Sequence, residues 1–403
     1  MPGGTLTGDG TQGNPYIVMD GYDLNALRTL IATSGMYPYV ELGADINMAV
    51  YPVFAPLPAS YCNIDGKGYR IYNLNVQNGN NETGIFSTLY AASAANINIE
   101  GIVSSTSGYH TGMFAGILYL TSTNGKISNI HCSGSINAVN MYSSYATGGI
   151  CGVFRCNNAG NPNGIMERCS FYGSIMARST TSQTSNSGSM PFAGGIAGWL
   201  DSNQSSAPLS ITKCIANFII SLDSSTANIG FGGIAGCTRG YGSLRFLSIN
   251  RCVVQMEVKI VTAAASARTL CVGGMTAYSY AGAVGGAIGN IENCAAHIKL
   301  NYDPPSTLQA MYFAGILAYY EQNIMITNCY SVMSILNPNS KPLPASFYVD
   351  GIQGNGTRNI TASFYDVDVL AASFSGNVVN SATGVTTAQL KSQAFLESQG
   401  WVF

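Results

Sequence analysis

The chain has 403 residues, of which only 9% are charged, with a formal net charge of −2, whereas about a quarter of an ordinary soluble domain is charged. That balance leaves no electrostatic footprint for nucleic acid or for insertion into an anionic membrane, so neither partner is expected. With 47 Gly and 24 Tyr among abundant Ser, Thr and Asn, the surface is one of hydroxyls, amides and aromatics, suited to polar neutral partners such as sugars.

In chain order, Met1-Pro2-Gly3-Gly4 opens without a basic or an apolar leader region, so no secretory signal is expected. No apolar run reaches the roughly 18 residues of a membrane span. Residues 1–65 read as an N-terminal cap, in which Asp23 is the expected N-cap of a short amphipathic helix running to Ile31.

Residues 66–365 are repetitive. A glycine block occurs as Gly112-Met113-Phe114-Ala115-Gly116 and Gly148-Gly149-Ile150-Cys151-Gly152, then as Gly194-Gly195-Ile196-Ala197-Gly198 and Gly232-Gly233-Ile234-Ala235-Gly236. Looser copies begin at Gly273, Ala314 and Asp350. A second signature follows each block and ends at Cys132, Cys169, Cys214, Cys252, Cys294 and Cys329, fading to Ser363. The period of 35 to 46 residues falls in the range of solenoids and propeller blades. After each Cys the side chains alternate: Cys252, Val254, Met256 and Val258 share one strand face, and Gln255, Glu257 and Lys259 the other. A propeller blade needs four strands, whereas each repeat shows two strands and a long variable connection. The expected fold is therefore all-β, a parallel β-solenoid (β-helix) of about seven to nine coils with short helical caps at both ends. Residues 366–403 form the closing cap, with a helix opening at Thr387 and with Trp401 and Phe403 plugging the last coil.

The paired Gly-Gly-Ile-Ala-Gly and Ile-x-x-Cys signatures resemble the GLUG repeat. So do the opening Gly10–Ile17, the segment Ile64-Asp65-Gly66-Lys67-Gly68 and the closing Thr386–Lys391 with Gly400-Trp401. The resemblance covers nearly the whole chain. It implies a repeat solenoid of the kind found in large secreted or adhesive bacterial surface proteins and in phage proteins.

Six cysteines are expected to occupy one position in successive coils: Cys132, Cys169, Cys214, Cys252, Cys294 and Cys329. With no Cys-x-x-Cys pair to suggest a metal, they read as a ladder of reduced, buried thiols. His131, Arg168, Lys213 and Arg251 precede Cys in four successive coils. They form either a basic stripe that reads acidic sugars or isolated solvated charges that discourage edge pairing. Trp199, Tyr278, Tyr280, Tyr319 and Tyr320 either stack on sugar rings or pack loops and neighbouring subunits. His110, His131 and His297 read as solvated surface histidines, and Asp366 with Asp368 as a solvated loop rather than a carboxylate pair for glycoside cleavage. The stretch Ser179–Gly188 reads as a polar surface loop.

No cofactor, metal or catalytic residue is assigned. The expected function is a non-enzymatic structural and adhesive solenoid on a phage virion surface (fibre, spike or capsid decoration). Its partners would be a host-surface polysaccharide or receptor and other virion subunits, and it would be a homo-oligomer, by analogy a trimer. A secreted module on a bacterial cell surface is the alternative, and a polysaccharide hydrolase or lyase the second alternative.

Overall fold

The structure, a computed structural model, describes residues 6–32, 36–79, 82–106, 109–122, 125–139, 145–156, 164–179, 190–202, 208–224, 228–240, 247–263, 269–281, 289–303, 310–320, 324–340, 344, 346–354, 359–374 and 382–398. Trp401, Phe403 and nearly all of Ser179–Gly188 lie outside this set.

Among the described residues the chain winds three parallel sheets of 20, 8 and 7 strands. One coil shows the path. Strand Phe192–Gly194 belongs to the seven-stranded sheet, and Gly195-Ile196 turns the chain into Ala197–Ser202 of the eight-stranded sheet. Leu209–Thr212 and Ile215–Ser224 then run along the long sheet before the next coil begins at Ile229. This coil therefore carries four strands rather than the expected two, and it is their parallel pairing between coils that distinguishes the solenoid from a propeller. Registers run directly from coil to coil: Phe192 pairs with Gly230, Ala197 with Ala235, Leu209 with Leu247 and Ile215 with Val253. The expected parallel β-solenoid is the observed fold. Its first rungs lie within residues 1–65, where Tyr16–Val18 already pairs in parallel with Tyr39–Leu42 in the long sheet.

Period-two alternation sorts side chains as the sequence implies. Cys252, Val254, Met256 and Val258 are buried while Val253, Gln255 and Glu257 face outward. The third residue of each glycine block forms a column of Ile150, Ile196, Ile234, Met275, Ile316 and Ile352, all 0% exposed. Each fully buried side chain of this size contributes roughly 1.5–3 kcal/mol of apolar transfer. The glycines let two sheet backbones meet: a Cβ on Gly194 would lie 2.2 Å from the Ala197 carbonyl oxygen, and one on Gly198 2.4 Å from the Thr147 nitrogen.

Eight successive rungs of the long sheet share a bend at a non-glycine left-handed residue. The bend occurs at Asn96, Asn129, Arg168, Lys213, Arg251, Asn293, Asn328 and Ala362, with φ between 46° and 58°. The following inward residue explains the cysteines. The thiols of Cys169, Cys214, Cys252, Cys294 and Cys329 donate to the carbonyl two residues back, across the bend, at 3.1–3.4 Å. Ser363 repeats the contact at 3.0 Å. A small side chain with one donor adds a second hydrogen bond to a carbonyl that, at Thr212, Asn250, Glu292, Thr327 and Thr361, also accepts the bend residue's N–H from the adjacent rung.

Cys132 does not belong to this ladder. It pairs with Phe171, and Ile130 with Ile97, because the segment before Cys132 carries two more residues after the bend at Asn129. All eleven cysteines are buried free thiols. Burial pushes the Cys214 and Cys294 thiols well above their usual range and that of Cys271 up to about 12.

Helices close the ends. In α1 (Gly21–Leu30) the N-cap is Asp20, not Asp23: Asp20 accepts from the Asp23 nitrogen at 2.9 Å, and Asp23 reaches back to the Met19 nitrogen at 3.0 Å. This reciprocal arrangement satisfies two otherwise orphaned donors. Asp366 and Asp368, expected in a solvated loop, are instead the N-cap and the first turn of α2 (Val367–Ser373). Asp366 is 2% exposed. It caps this helix through the Asp368 and Val369 nitrogens and receives the Thr387 hydroxyl at 2.7 Å. Asp368 takes the Thr387 nitrogen at 2.9 Å, so the two carboxylates hold α3 (Thr387–Leu390) against the stack.

Candidate functional site: a cationic depression on the long sheet

The bend positions form a side-chain column along the solenoid. At one end Asn129 donates to Asn96 at 2.9 Å and Asn96 to Asp65 at 3.0 Å. At the other, Asn328 donates to Asn293 at 3.3 Å. Between them Arg168, Lys213 and Arg251 occupy three successive rungs, all exposed. Arg168 lies 3.5 Å from Glu167, whose carboxylate is more closely held by Lys126 at 2.8 Å. The Lys126 hydrogen bond keeps the Glu167 carboxyl below its usual range. Lys213 and Arg251 have no carboxylate within ion-pair distance among the described residues.

Beside this column lies a depression of about 550 Å³, lined by Arg70, Asn98, Glu100, His131, Ser170, Tyr172, Arg168, Lys213 and Ile215 among others. Arg70 is already paired with Asp45 at 2.9 Å. Tyr172 and Ile215 are 46% and 42% exposed and give the depression an apolar flank.

His131 is exposed, as expected, but it is not a member of the stripe. It pairs with Ser170, two residues past the bend, and Asn129 takes the place assigned to it. His131 nevertheless lines the same depression, where its Nδ1 shares a 2.8 Å hydrogen bond with the Ser170 hydroxyl and its partial burial lowers its pKa. The structure thus brings together Arg168, Lys213 and His131, with Arg251 one rung farther along. Arg70 and Glu100 lie on earlier rungs and Tyr172 on the Arg168 rung itself, and the three share no spacing signature in the sequence.

The aromatic candidates are elsewhere. Trp199 and Tyr278, expected on a polar surface, are 2% and 1% exposed. They sit in a second apolar layer with Met190 and Phe192, in the wedge between the seven- and eight-stranded sheets. Tyr319 is half-buried and stacks on Tyr278 at 5.1 Å. Tyr280 and Tyr320 belong to strands of the eight-stranded sheet, and their side chains lie outside the described residues.

The same wedge contains an ion cluster that the sequence reading missed. Asp201, 0% exposed, accepts from Arg155 at 2.5 and 2.9 Å and from Arg239 at 3.0 Å. Arg155 also donates to the Tyr119 hydroxyl at 2.7 Å, and the Arg239 guanidinium lies 4.4 Å over the Trp199 ring. A signal existed: Arg155, Asp201 and Arg239 each follow the last glycine of their block by three residues. His110, expected in solvent, is half-buried with an enclosed Nδ1 that has no hydrogen-bond partner. Burial first, and then Arg155 and Arg239, push its pKa down to about 3. His297 is exposed, as expected.

No family model matches the chain. No curated protein matches it either. Among solved structures it is similar to a protein described as "a putative immunoglobulin A1 protease from Bacteroides ovatus". That similarity has 20% identity and a TM-score of 0.52, and covers 97% of this chain and 89% of that one. At this identity the likeness extends to the fold, a stacked parallel β-solenoid.

Proposed function

We propose that this chain is a non-enzymatic attachment solenoid, displayed on a phage virion surface as a fibre, spike or decoration, that engages host-surface glycan. The observation that carries the reading is the cationic depression with its exposed tyrosine, set on a rigid ladder of outward-facing rungs. The GLUG-like signatures and the hydroxyl- and amide-rich composition support it. Single contacts on such a surface are weak, and an oligomer, taken as a trimer, multiplies them through effective concentration. Mass spectrometry of purified virus particles and of bacterial envelopes tests the setting. Stoichiometric recovery on particles is expected, and recovery only from envelopes would overturn it.

The bacterial source of the structural neighbour favours a second reading, a module of a bacterial cell-surface adhesin. The same envelope measurement would establish that one. The neighbour's description also suggests a direct enzymatic check: immunoglobulin A1 heavy chains are expected to remain intact after prolonged incubation with the purified chain.

A further inference from the structure

We propose that the Arg168–Lys213–Arg251 column and the depression beside it bind a polysaccharide bearing carboxylate or sulfate groups, laid along the solenoid axis. This deepens the attachment reading and rests on it.

The strongest reason is what the column displaces. A left-handed bend favours Asn, whose short amide tolerates that backbone and can pair with the rung below. The chain uses Asn at Asn96, Asn129, Asn293 and Asn328, where the amides form a hydrogen-bonded ladder. At three adjacent rungs it instead places long cations in the same strained conformation, with φ of 52°, 54° and 53°. Neither the bend nor the core needs them, because the inward thiol of the next residue makes its carbonyl contact on these rungs as it does on the Asn293 and Asn328 rungs. Like charges on neighbouring strands also repel. Local rules broken together at one place are a mark of function.

The surroundings select the ligand. Glu167 is occupied by Lys126 at 2.8 Å, so it only partly offsets Arg168. Glu100 lies on the depression's lining and repels an anion there, which favours binding along the column side. Because the whole chain carries a net charge of −2, this patch is not a by-product of general basicity. Tyr172 and the neighbouring Ile215 and Val253, 46%, 42% and 48% exposed, offer apolar contact to the C–H faces of sugar rings.

The test is retardation and titration of the full chain with polygalacturonate, dextran sulfate, neutral dextran and duplex DNA. These are run on the natural protein, on the triple variant Arg168→Asn/Lys213→Asn/Arg251→Asn, and on a control, Lys259→Gln/Lys299→Gln. The control lysines face outward beside Glu257 at 3.8 and 3.7 Å. The expected result is binding to one or both charged polysaccharides that weakens about 10- to 100-fold in the triple variant, at roughly one tenfold step or less per exposed ion contact. That binding also weakens as salt rises, and the control is unchanged. Whichever charged polysaccharide is retained separates carboxylate from sulfate recognition.

Unchanged binding in the triple variant overturns the proposal, and so does equal binding of duplex DNA, which would mean indiscriminate polyanion adsorption. Neutral-glycan binding that survives in the triple variant overturns this inference and leaves the attachment reading standing. Failure to bind any saccharide, here and on a broad glycan array, removes both.

Discussion

Restoring the asparagine ladder should make the protein more stable. In the triple variant Arg168→Asn/Lys213→Asn/Arg251→Asn, three left-handed positions regain the residue type that their neighbours use. The several-fold preference of that backbone region for Asn corresponds to roughly 0.8 kcal/mol per site. The new amides would also close the gap between Asn129 and Asn293, adding a few exposed hydrogen bonds of about 0.3 kcal/mol each after discounting for water. Against this stands the loss of the Arg168–Glu167 pair, 3.5 Å apart with the arginine side chain 57% exposed, a contact worth ~0.5 kcal/mol or less. The balance is a gain of about 3 kcal/mol. With unfolding entropy near 2.1 cal/mol/K per residue over 403 residues, Tm should rise by about 3–4 °C. Calorimetry and guanidinium titration measure it. An unchanged or lower Tm would refute the reasoning, because the cations would then occupy the column at no cost to folding.

Asp201→Asn removes the anion that holds Arg155 and Arg239 together at a buried site. It should cost about 3–5 kcal/mol, seen as a lower denaturation midpoint, and a loss below ~1 kcal/mol would count against the cluster. His110 stays neutral in the fold down to about pH 3. Below its unfolded pKa of about 6.5 the unfolded chain takes up a proton that the folded chain refuses, so stability declines as pH falls from about 6.5 toward 3. Between pH 7 and 5 that decline should be about 2 kcal/mol and should flatten in His110→Gln, while identical pH profiles would exclude the group. The Cys252 thiol donates to the Asn250 carbonyl at 3.4 Å. Cys252→Ser should therefore stay within about 1 kcal/mol of the natural protein, as Ser363 does the same work on its own rung. Cys252→Ala should lose about 0.5–1.5 kcal/mol with the thiol contact, since the Asn250 carbonyl keeps its hydrogen bond from the Lys213 nitrogen at 2.9 Å, and equal stability of the two variants would show that the contact carries no weight.

Much of the architecture was legible because a solenoid writes itself into sequence as a period. The glycine blocks, the Ile-x-x-Cys signatures and the alternation after each Cys are local, and each determines its rung without distant partners. The buried faces followed from that alternation alone, as at Cys252, Val254, Met256 and Val258. Half of the candidate site followed too, since Arg168, Lys213 and Arg251 share one offset from Cys.

What the tertiary structure alone decided were matters of register and of sheet-on-sheet packing. Cys132 shares the motif's letters, yet hydrogen bonding counts residues from the bend at Asn129, and the two additional residues shift it to the Phe171 column and take His131 off the stripe. Trp199 and Tyr278 look like surface aromatics along the chain. They are core because glycine contacts fold one sheet's outer face onto another, a closure no single repeat encodes. The depression exists only where Arg70, Tyr172 and Lys213, from different coils, are stacked side by side. Sequence determined the rung and its inward face, because those depend on neighbours a few residues away. The stacking of rungs decided the site, because its side chains meet only across coils.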